Sequence, residues 1–121
     1  MKIVVLKFGG TSVGTIEKIK KVTDIIIEHK KKKNKVIVVS SAMSGVTNDL
    51  IKKSKQISNN FIDSEYDVLV SSGEQVACSL IAGRLNHKGF KSRSWLGWQI
   101  PIFTNGPVSY THLTLPTIRS V

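Results

Sequence analysis

Two short runs of β-branched residues frame one stretch of helical spacing, and that arrangement narrows the fold more than any other feature. KIVVLKF (Lys2 to Phe8) and KVIVVSS (Lys35 to Ser41) each read as a buried strand. Between them apolar residues fall at Val13, Ile16, Ile19, Val22, Thr23, Ile26 and Ile27. Glu17, Lys21, Asp24 and Glu28 fall on the other side, as on an amphipathic helix. A strand, a helix and a strand make a βαβ unit, so the sheet is expected to be parallel with a right-handed crossover. Gly9 and Gly10 break the first strand, and Thr11 and Ser12 can cap the helix after it. The lysine run His29 to Lys35 ends that helix.

Further along, Ala42 to Asn48 reads as a loop, Asp49 to Ser58 as a short helix and Ser58 to Asn60 as a break. Tyr66 to Glu74 is an apolar stretch expected to end in a turn. Gln75 to His87 reads as a helix with Val76, Ala77, Leu80, Ile81 and Leu85 inward, and Gly89 suits the left-handed residue after its end. Phe90 to Trp95 is expected to be a third strand. The class is α/β.

The chain has 121 residues and a net charge of +10, carried mostly by lysine. No aromatic residue interleaves with the lysines to stack on bases, so a solvated surface is expected in place of a nucleic-acid site. No stretch is apolar over the roughly 18 residues a membrane span needs. The opening apolar run is too short for a signal peptide. A single Cys78 excludes an intramolecular disulfide and a cysteine metal cluster. A cytoplasmic protein is expected. His29, His87 and His112 have no ligand spacing, Cys78 reads as core, and Trp95 and Trp98 read as packing residues.

Three segments could carry chemistry. KFGGTSVG (Lys7 to Gly14) places two glycines and a lysine where a strand gives way to a helix. Free backbone N–H groups and a mobile positive charge suit a polyphosphate there. The alternative is a tight turn with Lys7 in solvent. The spacing is neither the Walker pattern nor GxGxxG. VSSAMSGVTN (Val39 to Asn48) sits at the carboxyl end of the second strand, where open α/β sheets bind ligands. The alternative is a helix cap made by Thr47 or Asn48. SSGEQ (Ser71 to Gln75) sets Glu74 beside a glycine at the expected start of a helix. Its carboxylate could receive an ammonium group, or could simply be favoured there by the helix dipole.

KFGGTSVG, VVSSAMSGVTNDL, SSGEQVA and SWLGWQIPIFTN, in this order, resemble the signatures of the aspartate kinases, of the amino-acid kinase superfamily. The resemblance runs from Met1 to about Asn105. It implies a three-layer amino-acid-kinase-like fold with a mainly parallel central sheet, present here in its N-terminal part only (residues 1–106). It implies transfer of the γ-phosphoryl group of ATP to the side-chain carboxylate of L-aspartate, giving 4-phospho-L-aspartate for lysine, threonine and methionine synthesis. By resemblance Lys7 would stabilise the transferred group. Lys7, Phe8, Gly9 and Gly10 would bind the nucleotide, with the two glycines giving backbone N–H groups to phosphate. Ser41 and Thr47 would hold the substrate, and Glu74 its ammonium group. Mg2+ would accompany ATP. A homo-oligomer is expected for the full-length protein, with no nucleic-acid or membrane partner. The readings set against this are a kinase of the superfamily with another acceptor, and a basic non-catalytic binding module.

The 121 residues alone are expected to fold poorly and to be inactive. Val108 to Thr117 reads VSYTHLTLPT. That decapeptide resembles the translation of a transposon-based sequencing adapter. Ile118, Arg119 and Ser120 would then be a variable index, and Val121 would precede the adapter's stop codon. Residues 107–121 are therefore expected to be a non-native tail.

Overall fold

The computed structural model describes residues 1–101. Strand β1 (Ile3–Phe8) is followed by helix α1 (Ile16–Lys31), strand β2 (Lys35–Ser40), helix α2 (Val46–Ile57), helix α3 (Asp63–His87) and a single 3-10 turn at Gly97–Gln99. The two strands pair in parallel, from Ile3 beside Lys35 to Phe8 beside Ser40. The mixed α/β class and the βαβ unit are therefore as the sequence implies. The expected adapter-like tail, His112 and the end of the SWLGWQIPIFTN segment lie outside the described residues.

Alternation along each strand decides which face is covered. Leu6, Phe8, Val36 and Val38 pack on a core of Val13, Ile19, Val22, Ile26, Ile81 and Leu85, supplied by α1, α3 and the turn before α1. Among the described residues only α1 and α3 touch the sheet; α2 packs on α3. The opposite face carries Val5, Lys7, Ile37 and Val39, and Ile37 is 53% exposed. The described residues thus form two layers of the expected three.

Helix α1 starts later than expected. Ser12 N–H donates to Gly9 O at 3.0 Å, and Gly14 N–H to Thr11 O at 3.4 Å. The glycine pair therefore opens into a further turn, and the N-cap is Thr15, whose hydroxyl accepts from Lys18 N–H at 3.2 Å. Thr11 and Ser12 are left free of that duty. Ile16 is exposed, while Ile19, Val22, Thr23 and Ile26 are buried as the spacing predicts. The helix gives out in the lysine run, with Lys33 in the left-handed region at φ 63°.

Three expectations around α2 and α3 are corrected. Helix α2 begins at Val46, and its N-cap is Gly45 at φ 85° with no side-chain cap, so Thr47 and Asn48 lie inside the helix. Tyr66 to His87 is one continuous helix, and the turn expected at SSGE does not exist. Gly73 is there for space: a Cβ on it would lie 3.0 Å from Ala42 Cβ and 3.2 Å from Val46 Cγ1. That contact turns the face Gly73, Ala77, Ile81 and Leu85 inward, each four residues on from the last. Val76 and Leu80, expected inward, sit one position off this stripe and are 50% and 37% exposed.

Phe90 to Trp95 is extended but forms no strand. The Asn86 side chain takes the place of a neighbour, accepting from Ser92 N–H at 2.9 Å and donating to Ser92 O at 3.0 Å. Gly89 closes α3 at φ 87°, as expected.

Candidate functional site

The carboxyl ends of β1 and β2 lie side by side, and the loops that leave them are stitched together. Ser41 N–H donates to Phe8 O at 3.0 Å, and Ser44 N–H to Gly10 O at 3.1 Å. Space between the loops is set by small residues. A Cβ on Gly10 would lie 3.0 Å from Ala42 O, and one on Gly14 would lie 3.2 Å from Ser44 Cβ. Ala42 is buried, and its methyl group meets Gly73 of α3 on the other side. The three segments singled out in the sequence therefore converge on Ala42.

Lys7 lies near the end of β1, on the sheet face away from α1, and is exposed. Among the described residues it has no ion-pair partner. Phe8 points the other way, into the core. Gly9 is exposed with open space about it. Among the described residues the N–H groups of Gly10 and Thr11 donate to no acceptor. A turn with unsatisfied N–H groups beside an unpaired lysine can receive an anion without displacing existing bonds. Ser41, in the β2–α2 connection, and Thr47, in the first turn of α2, are half-buried.

Glu74 follows Gly73 in mid-helix, so both accounts that placed it at a helix start are corrected; no dipole end favours its charge there. It lines a cavity of about 420 Å³ with Asp67, Ser71, Cys78, Trp95 and Trp98. The tryptophans are exposed walls of this cavity, where the sequence suggested packing residues. Arg93 stacks on Trp95, 4.0 Å from the ring centre. Burial, and then the Glu74 charge, push the Cys78 thiol up, which holds it protonated and poorly nucleophilic. Sequence reasoning missed Ala42, Ser44 and Gly14 as the residues that hold the loops together. The only signal was their small size.

The described residues form a parallel βαβ unit with a glycine turn and an exposed lysine at its carboxyl end. The model of the amino acid kinase family matches residues 2–119, and the chain belongs to that family. It is 50% identical over 104 residues to an aspartokinase of Geobacillus stearothermophilus, covering 86% of this chain and 26% of the relative. It is 48% identical over 108 residues to an aspartokinase of Rickettsia felis, covering 87% and 27% respectively. The crystal structure of aspartate kinase from Synechocystis superposes with a TM-score of 0.70 at 42% identity, over 73% of this chain and 15% of that one. The chain thus spans about a quarter of the length of the curated relatives it matches.

Proposed function

We propose that the chain is the N-terminal, phosphate-facing part of an aspartate kinase, which transfers the γ-phosphoryl group of ATP to the side-chain carboxylate of L-aspartate. The observation that carries this reading is the convergence of the Lys7–Gly14, Val39–Asn48 and Ser71–Gln75 segments on Ala42. The aspartokinase names of relatives at 48 to 50% identity supply the acceptor.

Phosphoryl transfer needs positioning and charge neutralisation more than covalent help from the protein. Lys7 has an exposed ammonium group, unpaired among the described residues, that can meet charge on the transferred group. The Gly10 N–H, free among the described residues, can meet phosphate oxygen, and the open space at Gly9 lets the nucleotide come close. Ser41 and Thr47 would hold the acceptor, and Glu74 would receive its ammonium group. The described residues contain no group of three or more His, Cys, Asp or Glu side chains able to hold a metal ion. Mg2+ would accompany ATP and neutralise charge on its phosphates. The product, 4-phospho-L-aspartate, would feed lysine, threonine and methionine synthesis.

The test is ATP consumption by the full-length gene product with aspartate, glutamate or acetylglutamate as acceptor. Aspartate is expected to be preferred. Lys7→Ala is expected to lower kcat by on the order of 10²- to 10³-fold, the cost of losing one preorganised charge stabiliser. Full turnover by Lys7→Ala would remove Lys7 from the mechanism. Preference for another acceptor would move the protein elsewhere in the family.

A further inference from the structure

We propose that Ala42 is a positioning residue: its contacts with Gly10 and Gly73 fix how far the Glu74-bearing helix stands from the glycine turn, and that spacing selects an acidic amino acid by its length. The inference rests on the aspartate kinase reading for its substrate, and on the packing alone for its geometry.

Ala42 meets both flanking segments at their tightest points, Gly10 with its backbone and Gly73 with its side chain. Its carbonyl oxygen lies 3.0 Å from where a Gly10 Cβ would stand, and its methyl carbon 3.0 Å from where a Gly73 Cβ would stand. Carbon atoms in contact prefer about 3.5 to 4.0 Å, so a methyl group at position 73 forces α3 outward by roughly half an ångström or more. Backbone on both sides limits the alternatives. Gly10 O is bound to Ser44 N–H, and Ser41 N–H is bound to Phe8 O, so the two loops move as one body. Gly73 is buried inside a continuous helix of 25 residues, so it cannot yield without carrying Glu74 along.

Aspartate and glutamate differ by one methylene between the reacting carboxylate and the ammonium group. With the reacting carboxylate met from the glycine turn and the ammonium group held by Glu74, a spacing between the two segments that is set at Ala42 can discriminate at that scale. One methylene is worth about 10- to 200-fold in enzyme specificity, and a misplacement of about 1 Å costs on the order of 10²-fold in rate.

The experiment uses two variants of the full-length gene product, Gly73→Ala and the double variant Gly73→Ala with Ala42→Gly. The double variant moves the methyl group across the contact and relieves the clash with position 42, leaving only the 3.2 Å approach to Val46 Cγ1. For Gly73→Ala, KM for aspartate should rise about tenfold while KM for ATP stays within about twofold, and the preference for aspartate over glutamate should narrow. The double variant should recover most of both the aspartate KM and the melting temperature. Two results overturn the proposal: a double variant no better than the single one, or KM for ATP rising in step with that for aspartate. A wild-type protein with no aspartate-dependent ATP consumption overturns the functional reading and the length selection with it. The melting-temperature rescue then decides the Ala42 contact by itself.

Discussion

Arg84 ties α3 to α1 through three acceptors on one turn: Lys20 O at 2.7 Å, the Thr23 hydroxyl, and Asp24 Oδ1 at 2.8 Å. The hydrogen bond from Arg84 holds the Asp24 carboxyl below the usual carboxylate range. Desolvation opposes this, and the charges of Arg84 and Lys88 add to it. A folded-state pKa below the unfolded one stabilises the protein fully above the unfolded value of about 4, and the benefit is lost as pH falls through the folded value. The melting-temperature gap between wild type and Asp24→Asn should thus be widest near about pH 7 and close near about pH 2. A gap independent of pH would mean that the side chain acts through packing. The site residues behave differently at this scale. For Lys7, Gly9 and Gly10 the sequence placed the end of the strand and the glycine turn after it, and the structure has both, with Lys7 exposed at the strand's end. Glu74 was singled out from the sequence but placed at a helix start, because a glycine was read as punctuation when it serves a close contact inside α3.

Among the elements, β1, α1 and β2 were readable because period and length agree: β-branched runs of strand length on either side of a 3.6-residue repeat. Helix α3 was not, since its inward stripe includes Gly73 and Ala77 while Val68, Val76 and Leu80 remain exposed. Apolar periodicity cannot find a face built from the smallest residues. The unpaired segment Phe90 to Trp95 was misread for a related reason: its hydrogen bonds come from the Asn86 side chain, which no local pattern announces. Helix α2 begins at a glycine in the left-handed region with nothing within 4 Å of its missing Cβ. Gly45→Ala should therefore cost about 1 to 2 kcal/mol through the backbone alone, and Gly45→Asn less, because asparagine tolerates that conformation. Thermal unfolding of the two variants checks this order; equal stability would show that the α2 start relaxes to another cap.

Across the described residues, the candidate site and the densest lysine run lie at opposite ends. Helices α1 and α3 run in the same direction, since Gly73 meets Ala42 near the strands' carboxyl ends and Arg84 meets Asp24 further along. Lys2 and Lys35 adjoin at the far end of the sheet, beside the exposed run Lys30 to Lys33 at the close of α1. The lysines there complement a helix carboxyl end, while Lys18 and Lys21 lie beside Phe8, Thr11 and Ser12 at the other end. The cavity beside Glu74 has an optical consequence. Both tryptophans of the chain form its walls. Trp98 is 79% exposed and should emit at long wavelength in the free protein. A ligand that settles against Glu74 should shift that light to the blue, and titration of aspartate into the full-length gene product should follow the shift without any label. Trp98→Phe should abolish most of it and leave the residual signal of Trp95, whose ring is already stacked by Arg93. The protein would then carry its own fluorescent gauge of site occupancy.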